Sequence, residues 1–189
     1  MSQAAAKNTQ SSKFSVRDIC YTGLFAAVIA VMAQISIPMP LGVPMTMQTF
    51  AITLAAVVLG SKLSAMASLV YLILGAVGVP VLASFSGGID KFVGPTGGFL
   101  ISFPLMAYII GLGVEHRNAF KGAFPLAVVV GTVVNYIVGV LLFVIVAHST
   151  VAVAISACVL PFIPTAIIKA VLACAIGLNI RKRIPGLKA

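Results

Sequence analysis

Ala123-Phe-Pro-Leu-Ala-Val-Val-Val-Gly-Thr-Val-Val-Asn-Tyr-Ile-Val-Gly-Val-Leu-Leu-Phe-Val-Ile-Val-Ala147 is a run of 25 residues without one Asp, Glu, Lys or Arg. About 20 such residues in a helix cross the hydrocarbon core of a bilayer. Pro125 stands near the first turn, where a missing N–H leaves no helical bond unmade. The run therefore reads as a membrane span.

The rest of the chain has the same character. Of 189 residues, 61% are hydrophobic and 8% charged, and the mean hydropathy is +1.19. A soluble domain carries about a quarter charged residues. Soluble enzyme, transcription factor and secreted disulfide scaffold are excluded, and an all-α integral membrane protein is expected. The net charge of +9 would suggest nucleic acid on a soluble chain. Here the basic residues flank apolar segments, where they anchor helices, and no nucleic-acid module is visible. Cys20, Cys158 and Cys174 show no pairing or metal spacing and read as small apolar side chains.

Working outward, further spans are expected at 16–37, 47–59, 63–79, 98–114 and 164–180, with 123–147 as the fifth of six. The stretch 149–160 is too short to cross and reads as an outer segment. These spans make one six-helix domain over 14–183, between a polar, disordered tail at 1–13 and a short tail at 184–189. With both termini cytoplasmic, the inner segments collect ten of the twelve basic residues, including Lys62, Arg117, Arg181, Lys182 and Arg183. The outer loops then hold only Lys91, as the positive-inside rule requires. Merging the second and third spans would strand the Arg181–Arg183 cluster outside.

The irregular sequence falls on the outer side. The first outer loop reads Ile37-Pro-Met-Pro-Leu-Gly-Val-Pro-Met-Thr46, the next spans the glycine-rich 78–98, and the last leads into Pro161-Phe-Ile-Pro164. These segments are too apolar for linkers and too rich in Gly and Pro for helices. Irregular backbone near a membrane is buried in protein or lines a cavity, so a pocket at the outer mouth is expected.

Lys169 lies about 7–8 Å inside the sixth span at 1.5 Å per residue. A lysine there is expensive unless paired or wetted. It either attracts an anionic ligand group, helped by the nearby helix N-terminus, or snorkels to the outer surface. Asp90 and Lys91 either close over a ligand or form a solvated pair. Asn135 is either a ligand contact or an interhelical hydrogen bonder; Gln48 opens the second span near the mouth, and Gln34 and Tyr136 are further polar groups within spans. Ala26 and Ala30, like Gly23 and Ala27, are spaced by four on the first span and let another backbone approach, either within the bundle or from a second membrane protein.

No phosphate-binding loop, carboxylate pair or His/Cys/Asp cluster is visible, so no catalytic residue, metal or cofactor is expected. Apart from Asp18 at the very start of the first span, the spans hold no carboxylate for ion coupling. Binding and passage of a small molecule, energised from elsewhere, is the expected role. A structural membrane subunit or a small-solute channel is the alternative.

Gly75-Ala-Val-Gly-Val-Pro-Val81 with Gly94-Pro-Thr-Gly-Gly-Phe99 resembles the signature of the BioY family, the biotin-specific substrate-binding subunits of energy-coupling factor transporters. Ser36-Ile-Pro38, Pro44-Met-Thr-Met-Gln-Thr-Phe50 and Leu160-Pro-Phe-Ile-Pro164 with Lys169 are similar to the rest of that pattern. The resemblance covers about 20–180. It implies a multi-pass protein of the bacterial plasma membrane that captures biotin in an outward-facing pocket closed by the first outer loop and the 78–98 loop. It also implies partnership with a transmembrane coupling subunit, docked on Ala26 and Ala30, and two cytosolic ATPases. For biotin, Lys169 and Lys91 are the carboxylate candidates, and Phe85, Phe92 and Tyr136 the aromatic ones. Asn135, Asp90 and the backbone at Gly97 and Gly98 are candidates for the ureido group, and Gln48 is a further ligand-binding candidate near the mouth. Members commonly carry an acid three residues before the lysine, where this chain has Ala166, so another acceptor, Asp90 or Asn135, is needed.

Overall fold

The computed structural model describes residues 15–39, 42–118 and 122–184. The tail expected at 1–13, and that at 184–189 beyond its first residue, lie outside the described residues. Helix α1 (Val16–Ala33) opens with a capping box: Ser15 accepts from Arg17 N–H, and Asp18 accepts from Ser15 N–H. That arrangement satisfies backbone donors a starting helix leaves over. The helix stops at Ala33, short of the expected Ile37. A residue before proline is pushed from helical into extended backbone, and Ser36–Ile37, ahead of Pro38, form strand β1 instead. It pairs antiparallel with β2 (Met45–Thr46), Ser36 opposite Thr46 and Ile37 opposite Met45. The first loop is thus a small ribbon.

Helices α2 (Gln48–Leu59) and α3 (Ser61–Ala76) meet at Gly60 with no intervening loop. Gly60 has φ 85° and ψ −172°, a conformation essentially closed to L side chains. Two ionised side chains from distant sequence cap the break. Glu115 accepts from the Ser61 N–H at 2.7 Å and from its hydroxyl, which starts α3 two residues before the sequence predicts. Arg181, 5% exposed, donates from Nη1 to the last carbonyls of α2, Val57 O at 3.2 Å and Val58 O at 3.0 Å. Each charge opposes the dipole of the terminus it caps.

A 3-10 turn (Ala83–Phe85) and a one-turn helix α4 (Asp90–Val93) lead into α5 (Gly97–Glu115), α6 (Ala123–Val146), the short α7 (Val151–Cys158) and α8 (Ile163–Arg183). Helix α2 is the centre of the bundle: every residue in it except Thr49 is buried. It packs on α1, α3, α5 and α8, while α5 packs along α6. Around α2, the core gathers Ile29, Ile52, Tyr71, Phe103, Met106 and Ile110.

The outer helices turn apolar rows outward. Val129, Val133, Ile137, Leu141 and Ile145 are exposed along one edge of α6, and Ile167, Ile168, Val171 and Leu172 along α8. Contiguous apolar surface of that size is not sustained in water. Four described helices, α1, α5, α6 and α8, are long and apolar enough to cross a bilayer, and α2 and α3 are shorter apolar helices. The chain is a helical membrane protein.

Candidate functional site

A cavity of about 310 Å³ opens between the β1–β2 ribbon, the segment 82–91, the first turns of α2, α5 and α8, and the middle of α6. It is of the size that holds a small organic ligand. A small extension continues from it between α2, α5, α6 and α8, reaching Thr53, Met106, Thr132 and Ala170.

Lys169 reaches into this space. Its Nζ donates to Thr46 O of the ribbon at 2.6 Å, and the residue lines both the cavity and the extension. Asn135, 2% exposed, lines the same two spaces. Its Nδ2 donates to Phe99 O at 3.1 Å and to Ser102 Oγ at 2.7 Å. A carbonyl can only accept, and the Ser102 hydroxyl donates to Phe99 O, so the network fixes which end of the amide is nitrogen. Asn135 is therefore interhelical glue through its nitrogen, and its Oδ1 makes no hydrogen bond to the described residues.

Gln48 lines the cavity with both ends of its amide engaged. Its Nε2 donates to Tyr71 Oη at 2.5 Å, and its Oε1 accepts from the Thr46 hydroxyl at 2.8 Å. It braces the ribbon against α3. Tyr136 lines the cavity edge-on to Phe99, with ring centroids 6.5 Å apart. Lys91 reaches the rim, its side chain 42% exposed and paired with Asp90 at 3.1 Å.

The other expected site residues are elsewhere. Asp90 is 67% exposed and its pairing is with its neighbour, outside the cavity lining. Phe85 faces away at 72% exposure, because the turn before it places Ser84 toward the cavity and Phe85 outward. Phe92 packs against the main core. Gly97 and Gly98 are buried as the first residues of α5. There a Cβ on Gly97 would strike the Phe92 backbone and one on Gly98 the Val138 carbonyl, so they serve close packing. The aromatic wall is built from Phe99, Phe103 and Phe162 with Tyr136.

Phe99 and Phe103, four apart, share a face of α5, and Thr49 and Thr53 share one of α2. That spacing was visible in the sequence, but not which face turned inward. On α1, Ala26 is 3% exposed and faces the core, and Ala30 packs partly against it. The exposed small pair is Gly23 and Ala27. The Ala26–Ala30 spacing lets neighbouring helices approach α1 inside the bundle.

Among the described residues, two lysines and no carboxylate line the cavity. Its electrostatics favour a guest with a negative charge and with both donor and acceptor groups. Among the described residues, no three His, Cys, Asp or Glu side chains come together as a metal site would need.

These features define a class: a helical membrane protein enclosing a cationic, aromatic-walled cavity for a small molecule. The chain belongs to the BioY family, whose profile matches residues 6–186. It is 42% identical over 168 residues to the biotin transporter BioY of Thermotoga maritima, covering 88% of this chain and 97% of that one. It is 40% identical over 140 residues to a probable biotin transporter BioY of Pyrococcus horikoshii, covering 68% of this chain and 86% of the other. Its fold matches the crystal structure of the S-component for biotin from an ECF-type ABC transporter with a TM-score of 0.79. That match is at 27% identity and covers 88% of this chain and 92% of the other.

Proposed function

We propose that this chain is the biotin-binding membrane subunit of an ATP-driven vitamin importer in the bacterial plasma membrane. The observation that carries the reading is that Lys169 and Asn135 both line a cavity with no carboxylate among its described lining residues. Biotin's ureido ring presents one carbonyl acceptor and two N–H donors. The Lys169 ammonium donates to that carbonyl, and Asn135 Oδ1 accepts from one N–H. A carboxylate, which only accepts, would be opposed by Oδ1 in the same place. The fused rings lie against Phe99, Phe103 and Tyr136, and the flexible tail runs to the rim. There its carboxylate meets Lys91 and keeps part of its hydration, avoiding the larger penalty of full burial.

In this reading α2 and α3 complete six spans, with both termini cytoplasmic and the cavity mouth outside. The basic clusters at Lys62, Arg117 and Arg181–Arg183 support that orientation. The subunit performs no chemistry. A coupling subunit and two cytosolic ATPases supply the energy, and the contact on α1 falls on its exposed edge at Gly23 and Ala27 rather than on buried Ala26. Docking there reorients the bundle and releases biotin inside.

The test is equilibrium binding of biotin to the purified chain in detergent. Tight one-to-one binding by the isolated subunit is expected. Correctly folded protein that binds no biotin would return the chain to a structural or channel subunit.

A further inference from the structure

Gln34, the residue after α1, makes three hydrogen bonds with its one amide. Its Nε2 donates to Ala30 O at 2.8 Å and to Val81 O at 3.2 Å, and its Oε1 accepts from the Phe85 N–H at 2.7 Å. It thereby ties the end of α1 to both sides of the Ala83–Phe85 turn. Beside it the Ser36 and Ser84 hydroxyls meet at 2.7 Å, joining β1 to the same turn. Within the turn, the Leu82 N–H donates to Ser86 O at 2.9 Å.

The turn requires such a hold. Ser84 and Phe85 are consecutive non-glycine residues at φ 56° and 54°, in the left-handed region that a Cβ disfavours. A free segment of this sequence would leave that conformation. Leu82, Ser84 and Ser86 belong to the cavity wall, and Ser84 is also exposed, which places the turn at the mouth. The latch needs an amide, because one of its ends must donate to a carbonyl while the other accepts from an N–H.

We propose that Gln34 is a positioning residue that holds the Leu82–Ser86 turn at the cavity mouth and so sets how fast the ligand leaves. The proposal rests on the biotin-binding reading for its ligand, while the latch itself does not depend on it.

Gln34→Met keeps the side chain's length and removes both hydrogen-bonding ends; Gln34→Glu keeps an acceptor for Phe85 N–H and replaces the donor to Val81 O. The full chain in detergent is measured in two ways: amide hydrogen exchange over residues 82–86, and association and dissociation rates of biotin. In Gln34→Met, exchange in the turn is expected to rise, and dissociation to accelerate about tenfold, which corresponds to about 1.4 kcal/mol. Association accelerates too, so the rates change more than the equilibrium constant, a split that general loosening of the fold would not produce. Gln34→Glu, whose carboxylate faces the Ala30 and Val81 carbonyls, is expected to loosen the turn at least as much as Gln34→Met, and is the variant read if the methionine protein does not fold. Unchanged exchange in the turn overturns the proposal, and so does faster exchange with an unchanged dissociation rate. A wild-type chain that binds no biotin sinks the functional reading, and the exchange comparison then still decides whether Gln34 holds the turn.

Discussion

Replacing Lys169 by methionine separates the binding role of this residue from a purely structural one. The substitution keeps the apolar stem and removes the ammonium. If Lys169 donates to the ureido carbonyl, the variant loses a charge-assisted hydrogen bond, about 1.5–3 kcal/mol. At about 1.4 kcal/mol per tenfold, biotin binds roughly 10- to 100-fold more weakly. The unliganded protein should not suffer in parallel. The Thr46 carbonyl loses the Nζ donor at 2.6 Å, but the ribbon keeps its register, Ser36 opposite Thr46 and Ile37 opposite Met45, and removing a charge from an apolar helix relieves its desolvation. Thermal unfolding in detergent, with and without biotin, reads both effects. Ligand at about 100 times its dissociation constant stabilises wild type by about 2.7 kcal/mol. The same concentration on a variant bound about a hundredfold more weakly contributes only about 0.4 kcal/mol. The biotin-dependent rise in melting temperature should therefore nearly vanish while the ligand-free value holds or rises. A variant that binds biotin like wild type would refute the assignment of Lys169 to the ligand.

Three further substitutions probe other parts of the structure. Ala166→Asp puts a carboxylate in the cavity lining one turn from Lys169; as a charged acceptor for the second ureido N–H it should tighten biotin binding about tenfold, measured by titration calorimetry. Weaker binding would mean that this N–H already has its acceptor. Gly60→Ala forces a side chain into backbone at φ 85°, with its Cβ against the Glu115 carboxylate; it should cost about 1–3 kcal/mol from the backbone alone, seen as a lower melting temperature. A protein as stable as wild type would contradict the junction described here. Arg181→Met removes the donor from Val57 O and Val58 O and should destabilise by about 1.5–3 kcal/mol. Biotin affinity should be unchanged, since Arg181 lies twelve residues, about 18 Å along α8, from Lys169.

The reach of sequence reasoning is clearest in the particular elements. The long helices are legible because twenty-residue apolar runs have few other stable states in lipid. Their ends were harder to read: α1 stops four residues early because Pro38 and the β1–β2 pairing claim its last residues, and α3 starts early because Glu115, 54 positions away, caps it. Lys169 stands out in the sequence because a charge within a span is costly. Asn135 was visible with two alternative roles, and the structure gives its nitrogen to packing and leaves its oxygen to the cavity. The glycine-rich segment misled in detail. Gly97, Gly98 and Phe92 are adjacent in sequence to cavity residues but pack on helices and core. Phe85 turns outward through a left-handed pair of residues that no local pattern announces.

By itself the sequence determined that this is a helical membrane protein and which few polar groups are out of place in its apolar runs. These follow from transfer free energies that each segment carries with it. Which face of each helix turns inward was decided only in the tertiary structure. That choice put Phe99 and Phe103 in the wall, buried Ala26, brought Thr46 to Lys169 and placed Gln34 beneath the 83–85 turn. The physical reason is that helix rotation is set by packing between segments 40 to 120 residues apart, and almost uniformly apolar helices offer little amphipathic pattern from which to read it.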